Sequence, residues 1–409
     1  GAHAYNVAVG FEAGKLLTTG LRNNLLGGLA GDALTDGNDN VAIGYQALTA
    51  DQQGDNSVAI GVNALFTQNG TNGSVYNVAV GKSAGFAIST GVQNTFVGGL
   101  AGDGTDDGTN NVAVGFEALS ANCGSGNTAL GTRAGKVLTG DNNTLVGLNA
   151  GTALTSGDDN IAIGQGALAN EDTGTNATAV GVSALGTQNY NGDTHNTAIG
   201  HNALSATSTG RLNTAVGSYA GDNQATGSSN TYIGYDTNPS GTNVSHEIAL
   251  GSSITAAGTN TVRIGTTNGY AQLDLDGSDT SWAAGSDERL KKDIANSTAG
   301  LSFINDLRPV TFKWNAKNAI ADSLPQYDAS SSDPVWANSN DIHGFVAQEV
   351  KTVIDNHSEI KAGQGIWSAD PEGTQHIAYG AMMPMMVKAV QELSTALDAA
   401  LARIATLEG

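Results

Sequence analysis

A single cysteine, Cys123, occurs in 409 residues, which rules out a disulfide framework and a four-cysteine zinc site. Positive charge is scarce: 17 Lys and Arg stand against 38 Asp and Glu, and the formal net charge of −21 argues against a nucleic-acid-binding surface. No apolar run approaches the roughly 18 residues that would span a membrane. Proline is rare, at 6 residues, and the 56 glycines follow no three-residue period, so the chain is not collagen-like. The chain opens on Gly1 with neither an initiator Met nor a charged-then-apolar leader, and is expected to be a processed or partial chain. Aromatics make up only 5% and charged residues 13%, yet hydrophobics reach 39%, too many for simple disorder.

What is present is divided unevenly. Residues 1–285 hold 49 of the 56 glycines and one proline, Pro239, whereas residues 286–409 hold the other five prolines, three of the four tryptophans and all four methionines. The two parts carry net charges of −15 and −6. Composition alone therefore predicts two parts meeting near residue 285.

The first part is a repeat. Strings such as NVAIG, NTALG and NTAVG recur sixteen times, their glycines running from Gly10 through Gly44, Gly115 and Gly181 to Gly265. Most steps are 17 residues, and longer steps with insertions end at Gly81 and Gly200. Each unit opens on a short alternating segment that suits a strand, with a large residue (Val9, Ile43, Ile60) on one face and a small one (Ala8, Ala42, Ala59) on the other. An Ala-Leu pair such as Ala47-Leu48 adds a second apolar contact, and an Asp/Asn/Gly stretch then turns the chain. One unit cannot bury its apolar side alone, so the units must stack. At about 4.8 Å per rung, sixteen rungs form a rod of roughly 75 Å. Val, Ile, Leu and Ala are expected to fill a thin core. Both strand faces are apolar or small, so one packs inside the coil and the other against sister chains, which predicts an obligate oligomer, most simply a trimer. The Asn opening each unit either forms a ladder along the rod or caps turns, and turn chemistry is the favoured expectation.

Other residues carry less. Acidic turns such as Asp36–Asp39, Asp103 with Asp106-Asp107, Asp158-Asp159 and Glu171-Asp172 have the oxygen ligands calcium favours, but without a calcium-roll or EF-hand pattern they are expected to be solvated turns, and no metal or cofactor is assigned. Cys123 is expected to be a plain free thiol. Threonines recur at Thr128, Thr144, Thr178, Thr197, Thr214 and Thr231, where a strand explains them better than an ice-binding face. After Pro384 the apolar residues fall on heptads, with Met383, Val390, Leu397 and Ile404 at a and Met386, Leu393, Ala400 and Leu407 at d. A short coiled coil over 384–408 is expected, the alternative being a helix packed on its own domain.

The repeat units, Ser57-Val58-Ala59-Ile60-Gly61 above all, resemble the head repeats of trimeric autotransporter adhesins and similar repeats in phage tail fibres. At the junction, Ser286-Asp287-Glu288-Arg289-Leu290-Lys291-Lys292-Asp293-Ile294 resembles the start of the endosialidase-type intramolecular chaperone of phage tailspikes and fibres. Leu307–Trp314, His343–Val350 and Tyr379–Ala381 followed by Val390–Leu393 resemble that family's later segments, in order. The fold the resemblances imply is mostly β. A trimeric parallel β-roll or β-solenoid of about sixteen 17-residue repeats occupies 1–270, with a junction and cleavage linker at 271–285. An α+β chaperone domain then fills 286–409 and ends in the coiled-coil helix.

By the same resemblance Ser286 is the nucleophile and Lys291 the general base of a self-cleaving serine peptidase, with Asp287 and Arg289 in support and the cut between Gly285 and Ser286. A lysine serves as base when desolvation or neighbouring cations lower its pKa, and Arg289, Lys291 and Lys292 crowd together. His343, His357 and His376 have no compelling local partner. The alternative for Ser-Asp-x-Arg is a helix N-cap followed by solvated charges. The implied function is a virion tail-fibre or spike shaft that binds a host-surface glycan or protein, is extracellular after release, binds no nucleic acid and inserts in no membrane. Its C-terminal domain drives trimerisation and then cuts itself away in cis, with no outside substrate. The competing readings are a fragment of a bacterial trimeric surface adhesin and a glycan-degrading tailspike.

Overall fold

The structure is a computed structural model, and it describes residues 4–70, 73–275, 283–284, 288, 291–322, 324, 326–335, 341–360, 365–370 and 373–408. The chain divides into two compact units, Gly1–Ser286 and Asp287–Gly409.

The first unit is a parallel β-solenoid. Sixteen strands follow one another from Val7–Val9 to Thr261–Thr266, most of them three residues long. Each pairs with the next in parallel register, as in Val41↔Val58, Ala42↔Ala59 and Ile43↔Ile60, so the coil makes fifteen turns. Fourteen of the strands stop at three residues because a glycine follows each one. Gly44 sits at φ 138°, in a region that disfavours side chains. A Cβ there would also lie 2.4 Å from the carbonyl oxygen of Gly61, the equivalent glycine one rung on. The glycine column is thus required both by conformation and by rung-to-rung contact.

The alanine face of each strand is the one that points inward. Ala42, Ala59, Ala79 and Ala113 are fully buried, while their neighbours Val41, Ile43, Val58 and Ile60 stay half-buried on the outside. The expected core of Val, Ile, Leu and Ala is therefore corrected: Ala, Leu and Asn fill most of it, and the β-branched strand residues lie outside. Volume decides this, since a coil of 17 residues has no room for a large residue on every strand as well as the leucine of its turn. That leucine enters in two ways. Ala47-Leu48 buries it directly after the alanine, whereas Ala30-Gly31 is followed three residues later by Leu34, also fully buried.

Where a large residue does replace the inward alanine, glycines make room. Leu25, Phe96, Leu145 and Tyr232 are all fully buried. A Cβ added at Gly85 or Gly102 would lie 3.0 or 2.6 Å from the Phe96 ring, and one at Gly135 or Gly151 would lie 2.7 or 2.9 Å from Leu145.

The opening asparagines form the ladder. Asn40 donates its backbone N–H to Asn23 Oδ1 (3.0 Å) and its Nδ2 to the carbonyl of Gly54 (2.7 Å), and its own Oδ1 accepts the N–H of Ser57 (2.9 Å). One side chain thus joins neighbouring rungs and ties its strand to a turn, so the ladder and the turn-capping role coexist. Between Asn6 and Asn230 the column is interrupted at Ser57 and Ala177, just before the two insertions. Gln68 bridges the first gap, donating to Ser57 Oγ (2.9 Å) and accepting from Asn77 Nδ2 (2.9 Å), while beside the second Asn196 Nδ2 donates to Gln188 Oε1 (2.7 Å). Beside the second gap Glu171 is fully buried, its Oε1 accepting the N–H of Gly174 at 2.8 Å. This corrects the expectation of a solvated turn there.

An antiparallel hairpin closes the far end of the solenoid. Gly269–Asp274 pairs with the last parallel strand, and Ala283–Ala284 pairs in turn with it through Ala284↔Ala271 and Ala283↔Gln272. Residues 271–274 and 283–284 of the expected junction are therefore strand.

The second unit is α+β. Helix α1 (Leu301–Asp306) is followed by an antiparallel pair, Val310–Phe312 with Ile342–Gly344, and then by α2 (Ala347–Asn356). A second antiparallel pair, Trp367–Ala369 with Gln375–Ile377, leads through a short 3₁₀ turn into α3 (Met383–Glu408), 26 residues long. Phe303, Val350, Ile354, Ile360, Ile366 and Met382 form its core. No helix among the described residues is long and apolar enough to cross a membrane.

Candidate functional site

The candidate cleavage site follows directly on the closing hairpin. Ala283–Ala284 is held in the sheet by Gly269–Asp274, and the next residue is Gly285. Gly285, Ser286, Asp287 and Arg289 lie outside the described residues. Lys291 is described: it is exposed, and its backbone N–H donates to the carbonyl of Glu288 at 3.0 Å, a one-turn hydrogen bond.

Downstream, the family-like segments meet in one fold. A Cβ at Gly344 would lie 2.7 Å from Tyr379 Oη and 3.1 Å from the Phe312 ring, so the segments His343–Val350, Leu307–Trp314 and Tyr379–Ala381 all converge at this glycine. Arg308 donates to both carboxylate oxygens of Glu349, with Nε–Oε2 at 2.9 Å. This fork lowers the Glu349 pKa and raises that of Arg308.

α1 is held at both ends by side chains distant in sequence. The Leu301 N–H donates to Glu392 Oε2 of α3 at 2.8 Å. That carboxylate satisfies one of the helix's free N–H groups, and the contact lowers the Glu392 pKa. A Cβ at Gly300 would lie 2.6 Å from the same oxygen, so a side chain there would displace the Glu392 carboxylate. At the other end Asp306 Oδ2 lies 2.9 Å from His357 Nε2, while His357 Nδ1 lies 2.8 Å from Glu359 Oε1.

With a carboxylate at each ring nitrogen, first Glu359 and then Asp306, His357 has its pKa raised. The Phe303 ring meets its ring edge-on at 5.5 Å. The expectation that His357 has no compelling local partner is thus corrected: Glu359 stands only two residues on, while Asp306, 51 residues away, is the partner the sequence hides. His357 is committed on both nitrogens and acts structurally. His343 and His376 are exposed, and His376 Nε2 lies 3.4 Å from Asp370 Oδ2. Cys123 is a buried free thiol, with Thr105 Oγ1 at 3.1 Å, and burial pushes its pKa up to about 11, far from reactive. Among the described residues no group of three or more His, Cys, Asp or Glu is placed to hold a metal ion.

Residues 286–359 match the family described as chaperone of endosialidase. The match opens on Ser286 and takes in Lys291, α1, Gly344, α2 and the His357–Glu359 pair. No curated protein and no solved structure matches the chain.

The C-terminal helix carries an unpartnered stripe. Met383, Met386, Val390, Leu393, Leu397, Ile404 and Leu407 are all exposed, while Ala389 is buried and Met385 packs against the unit's own core. The alternative of a helix packed along its length on its own domain does not hold, since the first turns are anchored and the rest leave their apolar residues uncovered.

Proposed function

We propose that the chain is the shaft of a viral tail fibre or spike that attaches to a host surface through a glycan or outer-surface protein, and that its second unit is a folding chaperone that removes itself. The observation that carries this reading is the position of the family match, which begins at Ser286, directly after the strand that closes the solenoid.

The solenoid is built from pairings between rungs, each separated by a full coil, so its first turns must close loops before contacts reward them. A trimer held by the exposed stripe of α3 brings three chains together and supplies that nucleus. Cleavage then leaves a fibre that has lost its assembly device and is held by its slow unfolding.

The chemistry needs only the chain's own groups. Ser286 Oγ adds to the carbonyl carbon of Gly285 while the neutral Lys291 amine takes the hydroxyl proton. The tetrahedral centre collapses with loss of the Ser286 nitrogen, which receives that proton, leaving an ester between Gly285 and Ser286 Oγ. Water hydrolyses the ester to a Gly285 carboxylate and a free serine hydroxyl. Asp287 and Arg289 orient the pair. The step runs once per chain, in cis.

Mass spectrometry of the purified chain tests this. The wild type is expected to separate into fragments ending at Gly285 and beginning at Ser286. Ser286→Ala is expected to remain whole, and Lys291→Ala to cut about 10²–10⁴-fold more slowly, the usual share of a general base. A Ser286→Ala chain that still breaks at this bond would exclude Ser286 as nucleophile.

A further inference from the structure

One stretch of the solenoid departs from the repeat in three ways at once. His201, Tyr219 and Tyr235 stand on three successive rungs, each one or two residues beyond the glycine that ends its strand. Their rings meet edge-on, with centroids 5.1 Å apart for His201 and Tyr219 and 6.3 Å apart for Tyr219 and Tyr235. His201 and Tyr235 are exposed and Tyr219 is half-buried. Pro239, the one proline of residues 1–285, lies in the turn that follows Tyr235. It stands where other rungs place a hydroxyl: Asp32 and Asp103 accept those of Thr49 and Ser120, each 17 residues on, but 17 residues beyond Asp222 comes Pro239. Asp222 Oδ1 is accordingly buried without a hydrogen-bond partner, and burial, then neighbouring Asp236, raises its pKa.

Elsewhere an aromatic at this place has a structural use. Tyr45 and Phe116 each follow a strand-ending glycine, and each covers a second glycine one rung back. A Cβ at Gly28 would lie 3.4 Å from the Tyr45 ring, and one at Gly99 would lie 3.6 Å from that of Phe116. Behind the three adjoining rings the same places hold Val182, Asn202 and Ser218, none of them glycine. These rings cover one another rather than backbone, and Tyr235 is left 56% exposed. Polar groups border them: Asn202, Ser218 and Asp236 are half-buried, and Asn223 and Ser252 are exposed. Cations are missing. Between residues 137 and 262 the one Lys or Arg is Arg211, which precedes its strand and lies over the Tyr190 ring at 5.8 Å.

We infer that His201, Tyr219 and Tyr235 form a saccharide-binding ladder that takes an uncharged oligosaccharide along the rod. The inference rests on the reading that the solenoid attaches to a host surface, and it names the place and the ligand class. An oligosaccharide presents apolar C–H faces framed by hydroxyls. The ladder presents the complement, aromatic rings and tyrosine hydroxyls with amide, hydroxyl and carboxylate groups beside them. Tyrosine also gives a large contact at a low cost in side-chain freedom. Two rung steps of about 4.8 Å make the ladder about 10 Å long, so that neighbouring sugar units meet neighbouring rungs. Charge sets the class. Asp222 and Asp236 stand on the same turns and no Lys or Arg is there to pair with an acid group, so sialic and uronic acids are repelled. Neutral sugars bring only hydroxyl and amide donors, which a half-buried carboxylate such as Asp236 accepts.

Titration calorimetry on the full chain tests the ladder, with maltohexaose, cellohexaose and chitohexaose as neutral probes and sialyllactose and hexagalacturonate as acidic ones. Two variants remove its rings in favour of residues that the neighbouring rung already carries at the same place. Tyr219→Asn follows Asn202, whose φ of 54° is close to the 60° at Tyr219, and Tyr235→Ser follows Ser218. Tyr45→Ser removes a ring that only covers backbone. The wild type and Tyr45→Ser are expected to bind at least one neutral probe equally well, and each ladder variant to bind it about five- to tenfold more weakly, as loss of one aromatic contact implies. A neutral probe bound equally by all four proteins would overturn the ladder while leaving glycan attachment standing. Binding confined to the acidic probes would overturn the uncharged class. No binding of any probe by the wild type would overturn the ladder and the glycan half of the attachment reading together.

Discussion

At the scale of single residues, His357 is the clearest case of a group whose charge the fold uses. Its two ring nitrogens face Glu359 and Asp306, both contacts raise its pKa, and together they close the C-terminal end of α1. Because the folded value is raised, the stabilisation is fully present below the unfolded histidine value of about 6.5 and is lost as pH climbs through the folded value. The second unit is therefore expected to melt at progressively lower temperature as pH rises from 6 towards 9. His357→Gln keeps hydrogen-bonding capacity without the charge, and calorimetry on that variant should show a lower melting temperature at pH 6 and a flatter dependence on pH. Equal pH slopes in the two proteins would refute the charged clamp. Only the Glu359 half of this lay close in the sequence, two residues from His357, whereas Asp306 and His357 stand far apart and nothing marks them as a pair. The proposed catalytic pair differs: Ser286 and Lys291 rest on the resemblance of Ser286–Ile294 to the opening motif of the chaperone family, a pattern that a helix N-cap followed by solvated charges would also satisfy.

At the scale of elements, the solenoid follows a rule of volumes. Phe96 occupies a place that alanine holds in most rungs, and Gly85 and Gly102 are what give it space. Gly102 also sits at φ 62°, so Gly102→Ala combines a backbone penalty with a clash against the ring. A loss of about 2–4 kcal/mol is expected from thermal or denaturant unfolding. Adding Phe96→Ala should recover the clash but not the backbone share, so the double variant should fall short of the sum of the two single losses. Full additivity would show that ring and glycine do not compete for one space.

Asn143 offers a second test of the coil, because its Oδ1 accepts the N–H of Asn160 and its Nδ2 donates to the carbonyl of Gly157, at 3.0 and 2.9 Å. Asn143→Ala strands buried partners on two neighbouring turns and is expected to cost about 2–4 kcal/mol. Asn143→Asp, which keeps only the acceptor, should also destabilise the rod. The repeat itself was plain in the sequence, because the glycine column and the asparagine ladder each demand one residue type at one spacing. The direction of the strand faces was not. A three-residue strand with alanine on one side and valine on the other shows no polar contrast. Only the small volume of the coil, together with the leucine already inside it, turns the valine outward.

At the scale of the whole molecule, two uncovered apolar stripes call for the same remedy, one along the solenoid strands and one along α3. Both were anticipated in outline, since an alternating strand with two apolar faces and a heptad pattern each imply a partner. Folding of the single chain adds which residues are left over. Leu397 is 58% exposed with no contact to its own core, so Leu397→Asp should leave the second unit folded while preventing association and, with it, self-release. Circular dichroism and sedimentation separate those outcomes, and an associated, fully cut Leu397→Asp chain would remove α3 from the assembly step.

The most direct test of the central claim is native mass spectrometry of the freshly produced full chain. The account predicts a complex of three chains that all end at Gly285, accompanied by a released fragment that begins at Ser286. A single uncut chain of 41.2 kDa that persists on incubation would contradict it.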